Sequence, residues 1–137
     1  MLQSQGLQFP HLHIDAFEIR EQCGKIIDDN CRKLGVPGIR WKIGDFTSFD
    51  LHSLLQENEI KLPDAVFIGG HGGKIGRIME MLSEIVKPGC IVVFNSVKDS
   101  SQFECAAVEN GFSLKQKTEI TIDNYNKITC CKVIKEK

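Results

Sequence analysis

The sequence predicts an α/β fold: a doubly wound, mostly parallel sheet with an antiparallel hairpin at its C-terminal end. Three observations lead to this prediction. Apolar or alternating segments typical of strands are interleaved with segments whose apolar residues recur at the helical period. The strand-like segments stop at an acid, a glycine or an asparagine, and glycine or proline follows the helix-like segments. The last two strand-like segments leave no room for a helix between them, so they predict a hairpin.

The first part of the chain predicts a strand–helix–strand unit. Residues 14–18 alternate apolar and polar side chains and stop at an acid, which favours a short strand. Residues 20–34 predict a helix, residues 39–43 predict a second strand that ends next to Asp45, and residues 50–59 are weakly helical. The first helix is expected to bury one stripe of apolar side chains: Cys23, Ile26, Ile27, Cys31 and Leu34.

The second part of the chain continues the alternation. It predicts a strand at 64–68, a helix at 75–86, a strand at 90–94, a helix at 101–110, and hairpin strands at 112–123 and 127–134. The unbroken apolar run at 64–68 is expected to be buried on both faces of a parallel sheet. The last helix is expected to pack Phe103, Ala106 and Ala107 into the core, and Val108 is a further candidate.

Composition and charge narrow the class of protein. The 137 residues are 42% hydrophobic and 26% charged, as in one soluble globular domain. The net charge of -1 gives no diffuse positive field, so nucleic acid and anionic membranes are not expected partners. No apolar run reaches the ~20 residues of a membrane span, and residues 1–6 lack the pattern of a signal peptide. We expect a cytoplasmic protein.

The six cysteines do not indicate a metal site. They lie in five separate places, without a C-x-x-C pair or a Cys/His cluster at zinc spacing. Cys130 and Cys131 are neighbours in a predicted strand, where successive side chains point to opposite faces. The sequence therefore predicts free thiols in a reducing compartment and no bound metal.

Acidic side chains follow the first two predicted strands. Ligands of open α/β sheets bind at the carboxyl ends of the strands, where Glu18 and Asp45 are expected. A carboxylate there can accept two hydrogen bonds from a ribose diol. A second carboxylate beside Phe46 can accept from an adenine amine while the ring packs on the base. Together they predict a nucleoside pocket, although each acid alone also suits a helix cap or a solvated loop.

Four glycines and a histidine follow the strand predicted at 64–68. Glycines at 69, 70, 72 and 73 cost backbone entropy, which positive φ angles or the close approach of another molecule can offset. A tight turn accounts for two of them, and four favour a surface left open for a bulky ligand. The stretch is not a Walker loop, because Lys74 is not followed by serine or threonine. His71 is either a proton donor or acceptor near neutral pH or a loop residue without a role.

Five segments together form one pattern: residues 17–20, 43–45, 64–73, 87–89 and 92–95. This pattern resembles the class I S-adenosylmethionine-dependent methyltransferases. Residues 67–73, with Asn95 downstream, are similar more narrowly to the decarboxylating precorrin-6Y methyltransferases of cobalamin biosynthesis. The resemblance covers residues 14–135. It implies a seven-stranded Rossmann-like sheet with a reversed last strand, S-adenosylmethionine as cofactor, and a precorrin tetrapyrrole as substrate that is methylated and decarboxylated.

The resemblance also implies roles for individual residues. The expected cofactor-binding residues are Glu18 (ribose hydroxyls), Asp45 (adenine amine), Phe46 (beside the base), Gly69 and Gly70. The residues expected to face the tetrapyrrole are Gly72, Gly73 and Lys74. The expected catalytic positions are His71, which replaces the small residue usual in that family, and Asn95. Three basic side chains are candidates to anchor the substrate carboxylates: Arg20, Lys74 and Arg77.

The resemblance leaves the beginning of the fold unmatched. Such methyltransferases start with a central strand and a glycine-rich loop, and nothing before Ile14 matches either. We therefore expect residues 1–137 to form a single truncated methyltransferase domain, of a polypeptide that can carry a fused methyltransferase domain upstream. A missing central strand would expose two ladders of backbone groups. The chain alone is accordingly expected to self-associate, to bind cofactor weakly or not at all, and to be inactive.

Two alternatives remain open. A class I methyltransferase for another small molecule or for RNA has the same sheet, although the near-neutral charge argues against RNA. A non-catalytic module that keeps the fold without the cofactor would explain the unmatched start.

Overall fold

The computed structural model describes residues 13–34, 39–69, 73–96, 100–121 and 127–136. Its strands are β1 (Asp15–Glu18), β2 (Arg40–Ile43), β3 (Ala65–Ile68), β4 (Ile91–Ser96), β5 (Phe112–Thr121) and β6 (Lys127–Lys135). Its helices are α1 (Gln22–Leu34), α2 (Leu51–Gln56), α3 (Ile75–Ile85) and α4 (Ser101–Glu109), and a 3-10 turn covers Phe46–Ser48. The predicted alternation of strands and helices is confirmed. The chain divides into two compact units, residues 1–61 and residues 62–137.

The first unit contains a two-stranded parallel sheet. β1 and β2 pair in register, with Glu18 opposite Ile43. The pairing extends at both ends, where Arg40 N donates to Ile14 O at 3.1 Å and Gly44 N donates to Glu18 O at 2.9 Å. Both strands run in the same direction, so their carboxyl ends lie at one edge of this sheet.

Helix α1 contacts β2 through a glycine. A Cβ atom at Gly24 would lie 2.5 Å from the Trp41 ring, so a side chain there would collide with the indole. The Trp41 Nε1–H donates to Asp28 Oδ1 at 2.9 Å and fixes the ring over the helix. Gly24 thus permits a helix–strand approach that a larger residue would prevent, and no local sequence pattern predicts this contact.

The stripe predicted for α1 is wrong at two positions. Cys31 is buried, but Ile26 is 52% exposed and Leu34 is 49% exposed. The helix is rotated so that the side of Gly24 meets Trp41, which turns Ile26 away from the strand. The helical period shows roughly which side of a helix is apolar. Which residues of that side are buried depends on contacts with residues far away in the chain.

Replacing Gly24 with alanine is expected to destabilise the first unit. The added methyl forces the Trp41 ring to move, and overpacking of this kind costs about 1–3 kcal/mol. The higher helix propensity of alanine relative to glycine offsets at most about 1 kcal/mol of that destabilisation. Chemical denaturation should show a lower free energy of unfolding for Gly24→Ala. Gly76→Ala in α3, where an added Cβ meets no atom within 4 Å, is the control and should show no loss.

A half-buried carboxylate, Asp15, joins the other end of the sheet to the loop after α2. Asp15 Oδ1 lies 2.9 Å from His13 Nε2 and accepts from Arg40 Nε at 3.0 Å. Asp15 Oδ2 accepts from Lys61 N at 2.9 Å. Arg40 Nη1 donates to the carbonyl oxygen of Asn58, which has a φ of 59°. Burial raises the pKa of Asp15, but the hydrogen bonds from Lys61, His13 and Arg40 outweigh it, and the net pKa is lowered.

Asp15→Asn is expected to lower stability in a pH-dependent way. The pKa of Asp15 is lower in the folded state than in the unfolded state. The ionised side chain therefore adds to the free energy of unfolding at pH values above its unfolded pKa of about 3.9. That contribution is lost as the pH falls through the folded pKa. We expect a loss of about 1–2 kcal/mol at pH 7 from the weakened charge-assisted hydrogen bonds. Urea unfolding at pH 7 and at pH 3 should show the difference between wild type and variant shrinking in acid. A constant difference would contradict this account.

The second unit contains a four-stranded sheet in the order β3-β4-β6-β5. β3 and β4 are parallel, whereas β6 pairs antiparallel with both β4 and β5. β6 is therefore the reversed strand, and the predicted hairpin is confirmed. A register shift between Leu114 and Gln116 interrupts the regular pairing of β5.

The core of this unit lies between one face of the sheet and the helices α3 and α4. The Phe94 and Phe103 rings stack with centroids 4.5 Å apart and an interplanar angle of 10°. Other side chains that are at most 2% exposed complete this core: Met79, Val92, Ala107, Cys131 and Val133. Ser100, which is also buried, donates from its hydroxyl to Glu104 Oε2 at 2.8 Å.

Two predictions of burial are wrong in this unit. β3 was expected to be buried on both faces, but Ala65 is exposed and Phe67 is 64% exposed. Among the described residues β3 pairs only with β4, and only the face that carries Ile68 is packed. Val108, the further candidate for the core, is 67% exposed because α4 turns Phe103, Ala106 and Ala107 toward the sheet.

Candidate functional site

The two acids predicted to hold a nucleoside lie at the same edge of the β1–β2 sheet. Glu18 is the last residue of β1, and Asp45 follows β2 by two residues. Gly44, between β2 and Asp45, has a φ of 143°, which a residue with a side chain rarely adopts. An ideal Cβ at Gly44 would also lie 3.2 Å from the Phe49 ring. The predicted juxtaposition of Glu18 and Asp45 at one edge is therefore present within the first unit.

The Glu18 carboxylate is held by Arg20. Oε1 accepts from the Arg20 backbone N at 3.1 Å and from Arg20 Nε at 3.0 Å. Oε2 accepts from Arg20 Nη2 at 3.4 Å. The hydrogen bonds from the Arg20 side chain and backbone lower the pKa of Glu18, so the carboxylate is charged at neutral pH. Arg20, expected as a substrate anchor, thus forms an ion pair with Glu18 at the end of β1. The Glu-x-Arg spacing of residues 18–20 is the sequence feature that indicates this contact.

Asp45 caps the 3-10 turn that follows β2. Its Oδ1 accepts from Thr47 N at 2.9 Å and from Thr47 Oγ1 at 2.8 Å. The capping role that the sequence left open for this acid is present. The Phe46 ring packs edge-on against Phe17 at a centroid distance of 4.9 Å, and the Phe49 ring also contacts Phe17, at 5.3 Å. Phe46 is half-buried, so part of its surface stays accessible beside Asp45.

The second unit places two further candidates at one edge of its own sheet. Ile68 pairs with Phe94, so Gly69 and Asn95 are the next residues of two neighbouring parallel strands. An ideal Cβ at Gly69 would lie 3.2 Å from the Phe67 ring, so close packing against Phe67 also explains a glycine at this position. Asn95 is half-buried.

The remaining glycine-rich residues lead into α3. Gly73 has a φ of 79° and Lys74 occupies the N-cap position, exposed to solvent. The positive φ accounts for Gly73 as a turn residue. Gly70, His71 and Gly72 lie outside the described residues. Arg77, the other basic candidate, pairs with Glu80 Oε1 at 2.6 Å on the exposed side of α3.

The described part of the chain contains no cluster of metal-ligating side chains and no disulfide. No group of three or more His, Cys, Asp or Glu side chains there is placed to hold a metal ion. All six cysteines are free: Cys31, Cys90 and Cys131 are buried, Cys23 and Cys130 are half-buried, and Cys105 is exposed. Burial, followed by the nearby Asp64 charge, raises the pKa of Cys90. The helices of the described residues are too short or too polar to cross a membrane.

The negative charge and the hydrogen-bond acceptors of the β1–β2 edge suit a ligand rich in hydrogen-bond donors. Two carboxylates supply acceptors, and an accessible aromatic surface lies beside one of them. A nucleoside offers ribose hydroxyls and an exocyclic amine as donors and a flat base for packing. The residues present therefore fit the adenosine part of S-adenosylmethionine.

Comparison with known proteins places the chain in a family. A family model described as precorrin methyltransferase domain matches residues 7–129. No curated protein matches. Among solved structures, a precorrin-6Y C5,15-methyltransferase from Geobacter metallireducens GS-15 is 19% identical with a TM-score of 0.72, over 98% of this chain and 72% of that chain.

Two further solved structures share the fold. The precorrin 8W decarboxylase from Methanobacterium thermoautotrophicum is 15% identical with a TM-score of 0.64, over 88% of this chain and 68% of that chain. The O-methyltransferase from Bacillus cereus, in complex with SAH, is 17% identical with a TM-score of 0.67, over 90% of this chain and 63% of that chain. These likenesses show a Rossmann-like class I methyltransferase fold, and the family match covers most of the sequence. The chain belongs to the precorrin methyltransferase domain family.

Proposed function

We propose that this domain serves the S-adenosylmethionine-dependent methylation of precorrin-6Y, coupled to loss of an acetate carboxyl group, in cobalamin biosynthesis. The observation that carries the proposal is the pair of carboxylates, Glu18 and Asp45, at one edge of two neighbouring parallel strands. The family match and the solved precorrin-6Y C5,15-methyltransferase of similar fold support the substrate.

The first unit would hold the adenosine part of the cofactor. Glu18 accepts hydrogen bonds from the ribose hydroxyls, because its carboxylate is charged and lies at the strand end. Asp45 accepts from the adenine amine, and Phe46 contributes an apolar surface for the base. When bound, the cofactor supplies an electrophilic methyl group.

The second unit would face the tetrapyrrole. Gly72 and Gly73 add no side-chain bulk beside a broad, flat substrate, whereas Gly69 and Gly70 are proposed to border the methyl donor. Lys74 and Arg77 are candidates for the peripheral carboxylates of the substrate, since both side chains are exposed near the start of α3. Asn95, at the end of β4, is proposed to face the reacting groups. His71 is proposed to donate or accept a proton there. The electron pair left by the departing CO2 is taken up by the macrocycle. A proton must then be added to the former acetate CH2 carbon, and His71 is proposed to supply it.

We further propose that the chain alone binds S-adenosylmethionine weakly and does not turn over, and that it acts as a homo-oligomer in the cytoplasm. Among the described residues, β1 pairs only with β2 and β3 only with β4, and Phe67 is 64% exposed. An apolar, unpaired strand edge supports association with another polypeptide. A fused methyltransferase domain upstream stays a prediction.

Binding of the two ligands tests the proposal. Calorimetry with S-adenosylmethionine should give weak or undetectable heat, and strong stoichiometric binding would contradict the expected weakness. Precorrin-6Y should bind, as followed by its absorption spectrum, and Lys74→Gln should weaken that binding while Lys33→Gln, at the end of α1, should not. Failure of precorrin-6Y to bind would favour another small-molecule substrate. Failure of both ligands at millimolar concentration would favour the non-catalytic module.

A further inference from the structure

Arg20 occupies most of the acceptor sites that a cofactor would need on Glu18. A carboxylate offers about four lone-pair sites, two on each oxygen. The Arg20 backbone N and Nε fill the two sites of Oε1, and Nη2 takes one site of Oε2. One acceptor site remains, whereas the two hydroxyls of a ribose diol need two.

We propose that Arg20 competes with the ribose for Glu18 and thereby sets the affinity of this domain for its cofactor. The inference rests on the proposed role of Glu18 in cofactor binding. Ribose and guanidinium are both hydrogen-bond donors, so they exclude each other at the same oxygens. The diol binds fully when the guanidinium turns away, because one site on Oε1, beside the backbone N, and both sites on Oε2 are then free.

The structure allows this movement. The Arg20 side chain is 64% exposed and precedes α1, which begins at Gln22. The Glu18 side chain is 26% exposed, so the ion pair is partly screened by water and weak. The backbone N of Arg20 stays in place in any variant and continues to orient Oε1. Arg20 is therefore a residue that adjusts affinity, while Glu18 is the residue that binds.

The decisive comparison is between Arg20→Gln and Arg32→Gln. Arg32 forms a similar exposed ion pair with Asp29, but in the last turn of α1. Each ¹⁵N-labelled chain is titrated with S-adenosylhomocysteine, whose uncharged sulfur removes any charge repulsion with Arg20 from the comparison. An exposed ion pair of this strength predicts that Arg20→Gln lowers the Kd about 2- to 5-fold. Arg32→Gln should leave the Kd unchanged.

A second measurement follows Glu18 without any cofactor. The pH titration of the Glu18 side-chain carboxyl by ¹³C NMR should move to higher pH in Arg20→Gln, because the guanidinium holds the Glu18 pKa down. It should not move in Arg32→Gln.

The outcomes distinguish two claims: that Glu18 binds the cofactor, and that Arg20 competes with the cofactor for Glu18. A lower Kd for Arg20→Gln together with the raised Glu18 pKa supports competition. An unchanged or higher Kd for Arg20→Gln, with wild type still binding, overturns competition and leaves the role of Glu18 standing. No response to S-adenosylhomocysteine in any variant, at millimolar ligand, overturns the cofactor role of Glu18 and the competition with it.

Discussion

Replacing Glu18 with alanine is expected to weaken binding of S-adenosylhomocysteine about tenfold to a hundredfold. In the proposed complex the Glu18 carboxylate accepts two hydrogen bonds from the ribose hydroxyls. Each hydrogen bond to a charged group contributes about 1.5–3 kcal/mol to binding. Competition from Arg20 reduces the net gain, which places the expected loss below the sum of two such bonds. Because the wild-type chain binds weakly, the saturable NMR response should disappear in Glu18→Ala.

The control for this prediction lies close by in the chain. Glu21 is an exposed acid three residues after Glu18, immediately before α1. Glu21→Ala removes the same charge at nearly the same place, so it separates a specific hydrogen bond from a general field effect. If both variants lose binding equally, the ribose is not held by Glu18. Glu18→Gln, which keeps one acceptor oxygen, should fall between wild type and alanine.

Replacing Phe103 with alanine is expected to cost about 3–5 kcal/mol of the free energy of unfolding of the second unit. Phe103 is 1% exposed and stacks on Phe94, so its removal loses buried apolar area, an aromatic contact and close packing in α4. Urea denaturation followed by circular dichroism measures the change. Val108→Ala, in the same helix but 67% exposed, should stay within about 0.5 kcal/mol of wild type. A small effect of Phe103→Ala would mean that α4 does not pack on the sheet as described.

The order of elements was predictable because local signals mark it. The strand predicted at 64–68 is observed at Ala65–Ile68, and the helix predicted at 75–86 is observed at Ile75–Ile85. Alternation, helical period and stop residues act within a few positions, so one sequence suffices to place them. The juxtaposition of Glu18 and Asp45 followed from the same logic, because parallel strands bring their carboxyl ends to one edge.

Burial and contact partners were less predictable because they depend on residues far apart in the chain. The close approach of Gly24 to Trp41 rotates α1 and exposes Ile26, and no pattern within residues 20–34 contains that information. The exposure of Phe67 depends on what packs against the face of β3 opposite Ile68, and the residues of β3 alone do not carry that information. The roles of Gly70, His71 and Gly72 stay predictions.

The central claim is that the edge formed by Glu18 and Asp45 binds the adenosine part of the cofactor. The most direct measurement is a titration of the ¹⁵N-labelled chain with S-adenosylhomocysteine, followed residue by residue. The account predicts saturable, weak-affinity shifts of backbone amides at the ends of β1 and β2, including Arg20 and Phe46, that are lost in Glu18→Ala. Saturable shifts confined to other elements, or no shifts at millimolar ligand, would contradict it.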